Sequence, residues 1–400
     1  MTEATEILAA RRAPHLRIVG AVSAAHFVSH YYIIILAPLL PFVRAEYGVT
    51  YTEIGLAIAV FNIVSAVLQT PAGFLVDRLG ARSLLAAGLV TGAAAFMVVG
   101  LTHSFWLLVA MFALAGVGNT VYHPANYALL SHHVPSERIG QAFSIHTFAG
   151  MSGSAVAPPT LLLMQGIWGW RGAFIGAAVI GFATAAIVLL LRDQGTPQPT
   201  PHRTGETDSA NWKLLLSPAI VLNLVFFVLL AMISGGTYNY SVVALNALHG
   251  TPVTTGNAAL TGYLTLSALG VLAGGLLVTR TVHHGTVAAT GLALMAAFTV
   301  LIGEVDLGSA ALIAAMAATG FFSGVIMPSR DMIVRAVTPA GSFGKVFGFV
   351  TTGFNIGGII SPLVFGAIMD HGSPRWVFLG VAVFTVIAIL TVLNRPRRAA

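Results

Sequence analysis

Cysteine is absent from the 400 residues, and charge is nearly so: Asp, Glu, Lys and Arg together make up 8% of the chain. The first absence removes disulfides, thiolate metal sites and cysteine nucleophiles. The second excludes a water-soluble globule, in which about a quarter of residues are charged. Acids are scarcer than bases, 13 against 19, for a formal net charge of +6. The basic residues flank apolar runs, which is a topology signal and argues against a nucleic-acid partner. What is abundant is apolar, at 56% hydrophobic. The chain therefore reads as an all-α polytopic membrane protein, whose counting unit is a span of about 20 residues. The apolar run after Leu16 is too long for a signal-peptide core, so no cleavable leader is expected.

Twelve spans are expected. Six run roughly over 17–43, 52–76, 83–101, 105–131, 139–164 and 171–191, and six over 214–244, 257–279, 286–303, 308–334, 343–369 and 375–394. This gives an N-terminal six-helix bundle, 1–191, a polar linker, 192–213, and a C-terminal bundle, 214–400. With the N-terminus cytoplasmic, that side collects Arg11, Arg12, Arg17, Arg78, Arg82, Arg138, Arg192, Arg203, Lys213, Arg280, Arg335, Lys345, Arg395, Arg397 and Arg398. The other side keeps only Arg44, Arg171 and Arg375. Both termini and the linker are thus expected in the cytoplasm and the chain in the inner (plasma) membrane.

The stretch Gly116–Gly176 occurs twice. Shifted by 204 residues it falls on Gly320–Gly380, with identities that include Gly116/Gly320, Pro124/Pro328, Pro135/Pro339, Gly153/Gly357, Pro158/Pro362 and Arg171/Arg375. Glycine and proline set kinks, turns and close helix contacts, so the backbone has been kept while side chains drifted. The copies differ at the kink: His123-Pro124-Ala125-Asn126-Tyr127 against Met327-Pro328-Ser329-Arg330-Asp331.

Between the second and third spans lies Gly73-Phe-Leu-Val-Asp77-Arg78-Leu-Gly80-Ala-Arg82-Ser83. Gly73 would admit a neighbouring helix, Asp77 would face a helix N-terminus, and Gly80 would make the turn. Arg78 and Arg82 would anchor at anionic lipid or an acidic partner. This stretch resembles the signature loop of the major facilitator superfamily of secondary transporters. The resemblance implies two six-helix bundles around a central cavity that opens alternately to each side.

Three further stretches narrow the likeness: His26-Phe-Val-Ser-His30 with Leu36-Ala-Pro-Leu-Leu-Pro41; Phe61-Asn-Ile-Val-Ser-Ala-Val-Leu-Gln-Thr-Pro71; and Gly116-Val-Gly-Asn-Thr-Val-Tyr-His-Pro124. Together they resemble the fosmidomycin-resistance branch, proton-coupled exporters of small antibiotics. The branch tends to carry Asn-Asp where this chain has Ser29-His30, and an acid where it has Ala125.

Of the thirteen acids only Asp331 lies well inside an expected helix. Pro124 is eleven residues from the loop proline Pro135, about 16 Å along an α-helix, in a hydrocarbon core about 30 Å thick. His123, Arg330 and Asp331 therefore sit deep, where an ionisable group is a functional candidate by default. Adjacent residues on a helix point about 100° apart, so Arg330 and Asp331 are each expected to need a partner elsewhere. His26 and His30 share a helix face, and with carboxylates scarce they join Asp331 as proton-coupling candidates. His146 also falls in a span. His123 and Arg330 are expected to bind substrate, with Asn126, Tyr127, Tyr238, Asn239 and Asn355 as candidate contacts; Asn62 and Gln69 are further polar groups at membrane depth. The Gly150-Met-Ser-Gly153 stretch reads as a close-packing surface.

The expected function is proton-coupled efflux, by antiport, of a small anionic or zwitterionic compound, with the chain acting as a monomer in the lipid bilayer. The alternative is proton-coupled import of an organic anion or nutrient. No cofactor and no metal is expected. An intramembrane enzyme is disfavoured, because the His-Glu-x-x-His spacing is missing and a single deep acid cannot make a two-aspartate protease.

Overall fold

Proline and glycine decide where this apolar chain bends. The computed structural model describes residues 3–135, 138–191, 212–339 and 343–393; for a few positions within these, Asp77 and Lys345 among them, only the backbone is described. Most of the expected linker lies outside the described residues.

The helices are α1 (Glu3–Ile34), α2 (Leu40–Tyr47), α3 (Tyr51–Leu79), α4 (Ala81–Leu101), α5 (Phe105–Asn119), α6 (Tyr122–His133), α7 (Ile139–Leu190), α8 (Trp212–Leu215), α9 (Pro218–His249), α10 (Val253–Val278), α11 (His284–Glu304), α12 (Gly308–Val337), α13 (Phe343–Asp370) and α14 (Arg375–Leu393). Among the described residues, ten helical segments are long and apolar enough to cross a membrane. One of them, Ile139–Leu190, is two helices meeting at Gly169, whose φ of 72° and ψ of 172° no helix contains. With α1 the count is twelve, as expected, and no strand interrupts it among the described residues.

Two expected spans are broken, each for a local reason. The first ends at Ile34, and turn residues lead through Pro38 into α2, which has a proline in its first turn. Proline supplies no N–H and crowds the carbonyl four residues back, so the helix stops and restarts. The fourth span divides at Thr120–Val121, because Pro124 cannot donate to the carbonyl of Thr120. Its repeat partner Pro328 sits inside α12 without dividing it.

The chain gathers into two compact units: residues 1–35 with 63–205, and residues 36–62 with 206–400. In the first unit α7 packs on α1 and α4, and α4 packs on α5; in the second, α9 packs on α13, α11 on α14, and α11 on α12. These three pairings correspond once the repeat offset is applied, as a duplication requires. The repeated glycines explain how. A Cβ on Gly153 would collide with the carbonyl oxygen of Phe27 on α1, and one on its repeat partner Gly357 with that of Val228 on α9. Each pair of helices meets backbone to backbone, as small residues permit in lipid.

Within the second unit, the first turn of α3 is held by Asp370 at the end of α13. The Asp370 carboxylate accepts from the backbone N–H of Tyr51 at 2.7 Å and of Thr52 at 2.8 Å, and from the Thr52 hydroxyl at 2.5 Å. An anion placed on orphan N–H groups also meets the positive end of the helix dipole.

Candidate functional site

Two groups of side chains carry the chemistry, one in each unit.

In the first unit, α1, α6 and α7 bring four imidazoles together. His26 is buried; its ring stacks on that of His146 with centroids 3.8 Å apart and planes 4° from parallel. His30 lies 4.6 Å and His123 5.5 Å from the same ring. His26 Nδ1 lies 2.8 Å from the backbone oxygen of His146, and since a carbonyl can only accept, Nδ1 carries the hydrogen and Nε2 is left as the basic nitrogen. That Nε2 and both ring nitrogens of His146 are buried with no hydrogen-bond partner. His30 Nδ1 meets the Ser154 hydroxyl at 3.3 Å. Gly150 makes room for all this: a Cβ there would stand 2.6 Å from His26 Nδ1 and 3.0 Å from His30 Cδ2.

His123 is exposed and lies beside Tyr127, ring to ring at 6.2 Å, while Tyr127 also reaches Phe143 at 5.3 Å and His146 at 5.8 Å. Asn126, expected with them as a substrate contact, faces the other way. It is fully buried and neither of its amide atoms has a hydrogen-bond partner among the described residues. Asn126 and Tyr127 are adjacent on α6, and at 3.6 residues per turn adjacent side chains point about 100° apart, here onto different faces.

In the second unit, Arg330 and Asp331 pair with each other, contrary to the expectation from helix geometry. Arg330 Nε lies 2.9 Å from Asp331 Oδ1. The 100° rule describes Cβ directions, and a side chain as long as arginine can curl across that angle. The guanidinium lies over the rings of Phe227 on α9, at 4.9 Å, and Phe354 on α13, at 5.3 Å. Those rings are themselves 4.8 Å apart. The Arg330 side chain is 15% exposed and that of Asp331 51%. The cation is thus held by aromatic faces while the carboxylate remains open to a second partner. Tyr238 is half-buried against Tyr263 of α10, with centroids at 5.8 Å. Asn239 donates back to Gly235 O of its own helix, at 3.1 Å, and Asn355 is half-buried on α13. Asn62 bonds both its own helix and the Gly358 carbonyl, and Gln69 is exposed.

The loop motif does different work from that expected in two places. Among the described residues nothing lies within 4 Å of where a Gly73 Cβ would stand, so no neighbouring helix packs on it there. Arg82 caps the end of α7, donating to the carbonyls of Val188, at 3.3 Å, and of Leu189. These are the orphan acceptors of a helix C-terminus, where a cation also complements the dipole. Gly80 does make the turn, with φ of 88° as the residue before α4, and Arg78 is exposed. The Asp77 side chain lies outside the described residues.

Sequence reasoning did not place His146 in the site, although it lies four residues before Gly150 and eight before Ser154, on one face of α7. Phe227 and Phe354 carried no signal of their own, because apolar residues in an apolar helix do not announce a cation.

Comparison with known proteins agrees with this architecture. The sequence profile described as Major Facilitator Superfamily matches residues 22–256 and 224–400. The Fosmidomycin resistance protein of Escherichia coli (strain K12) is 23% identical over 95% of this chain and 93% of its own length. The Probable L-galactonate transporter of the same organism is 31% identical over 36% of this chain, spanning about a third of that protein (32%). A crystal structure of a bacterial homologue of the human lysosomal transporter Spinster, inward-facing and unoccupied, superposes with a TM-score of 0.80 at 13% identity, covering 97% of this chain and all of that one (100%). With a family profile along nearly its whole length, a duplicated six-helix unit and this shared fold, the chain belongs to the major facilitator superfamily of transporters.

Proposed function

We propose that the chain is a proton-coupled secondary carrier which moves a small organic anion or zwitterion by alternating access, exporting it across the plasma membrane with both termini cytoplasmic. The observation that carries this reading is the Arg330–Asp331 pair, a guanidinium lying against two adjoining aromatic rings with a carboxylate half open beside it. Charges at membrane depth are costly, and a permanent cation there is suited to drawing an anion out of water. Protons are the coupling ion in this reading, carried by Asp331 and by the histidines of the first unit, and the carrier works as a monomer. Export rests on the likeness to a resistance protein over 95% of the chain.

Import is the second reading, favoured by the pair itself. An anion that takes over Arg330 leaves Asp331 without its cation, so anion and proton would bind together, the linkage of a symporter. A partial relative named for the sugar acid L-galactonate supports an organic anion as cargo.

The anion assignment is tested by thermal stabilisation of the detergent-solubilised protein with a panel of small carboxylates, phosphonates and sulfonates. Arg330→Ala should abolish the shifts that anions give and leave the rest. Shifts unchanged in the variant would remove Arg330 from the binding site. Direction is tested in inverted vesicles acidified inside: an exporting antiporter accumulates the stabilising anion there, and an importing symporter does not.

A further inference from the structure

The histidine cluster of the first unit has a property that none of its members shows alone. His26 and His30 come from α1, His123 from α6 and His146 from α7, and each ring lies within 6 Å of His26. Among the described residues no carboxylate, lysine or arginine faces these rings. Of the elements packed against α1, α6 contributes His123 and Tyr127, and α7 contributes His146 and Ser154. The third, α4, carries only Arg82 as a titratable side chain, and that guanidinium is held at the end of α7.

Three buried ring nitrogens here have no hydrogen-bond partner among the described residues: Nε2 of His26, and Nδ1 and Nε2 of His146. His146 is 1% exposed and His26 5%. Buried polar atoms are rarely left unpaired, and each such case asks for a reason, such as a water, an ion or a catalytic role. His123, exposed and 5.5 Å from His26, is the member through which the cluster opens to the surface of the unit. Metal does not answer the need, since no group of three or more histidines and acids among the described residues could hold an ion.

We propose that His26, His30, His123 and His146 form a single proton-binding site that holds one proton in common, loaded through His123. Like charges at these separations in a poorly solvated interior repel strongly, so a second proton is refused while the first is present. A proton on any one ring then has only neutral imidazoles beside it, with no second cation in the cluster to oppose it. Such sites titrate as a group and not ring by ring. His146 is thereby assigned to the site, and Gly150 is the residue that lets α7 come near enough to share. The transport role of the site rests on the proton-coupled reading above; its existence and its capacity do not.

The experiment counts protons taken up by the purified protein, with no substrate and no gradient, on acidification from about pH 8 to about pH 5, either side of the ordinary imidazole value of ~6.5. The wild type is compared with H26Q/H30Q/H123Q/H146Q; the other histidines cancel. The expected difference is one proton per chain. A difference of none, or of two or more, overturns the proposal. Should the fourfold variant not fold, the doubles H26Q/H146Q and H30Q/H123Q replace it. Sharing predicts that each double still takes up nearly the full proton, because two rings remain. Loss of a whole proton in either double shows separate sites and overturns the proposal, whether or not transport later proves to be proton-coupled.

Discussion

Arg330 curls onto the next residue of its own helix, Asp331, 2.9 Å from nitrogen to oxygen, while its guanidinium lies against the adjoining rings of Phe227 and Phe354. Lysine in its place keeps the charge and loses the plane that lies on two rings. Arg330→Lys should therefore weaken anion binding about tenfold, equivalent to ~1.4 kcal/mol, with the fold intact by circular dichroism. Affinity equal to wild type would mean that only charge matters at this position.

The helix contacts at Gly153 and Gly357 make a second prediction. A methyl group at either must push a carbonyl of the facing helix, so Gly153→Ala and Gly357→Ala should each destabilise by about 1–3 kcal/mol. Gly73→Ala, with open space around it, should stay within about 0.5 kcal/mol of wild type. Thermal unfolding in detergent compares the three; equal effects would contradict the packing described.

At the end of α7, Arg82→Gln removes the cation from the Val188 and Leu189 carbonyls. A loss of about 1 kcal/mol is expected, with Arg82→Lys recovering part of it. Full stability in Arg82→Gln would return this arginine to the role of a lipid anchor.

The cap on α3 behaves differently from a surface acid. Asp370→Ala leaves two N–H groups of the first turn without an acceptor, a loss of about 1 kcal/mol, whereas Asp370→Asn retains one acceptor and should lose less. Hydrogen exchange at Tyr51 and Thr52 reads the effect at its origin, and protection unchanged in Asp370→Ala would contradict the cap.

Much of the fold was legible because lipid leaves few options. Apolar runs of the right length gave twelve spans, and glycines and prolines kept at a fixed offset gave the duplication. The break at Pro124 was legible in kind and not in degree, since Pro328 occupies the equivalent place and its helix continues, whereas the first span was read straight through Pro38. The site was less legible. The stack of His146 on His26, 120 residues apart along the chain, depends on two helices meeting at Gly150, and no local pattern encodes that approach. The Arg330–Asp331 pair was misjudged because spacing rules speak of where side chains start, and arginine is long enough to finish elsewhere. Gly73 and Gly153 look alike in sequence; only the neighbour that is present at one and missing at the other tells them apart.

The central claim, a carrier that couples an organic anion to protons, is tested most directly by uptake into proteoliposomes under an imposed pH gradient, using whichever anion of the panel stabilises the purified protein. The account predicts gradient-dependent accumulation that collapses when a protonophore is added and is lost in Arg330→Ala. Accumulation that ignores the gradient, or that survives in Arg330→Ala, would contradict it.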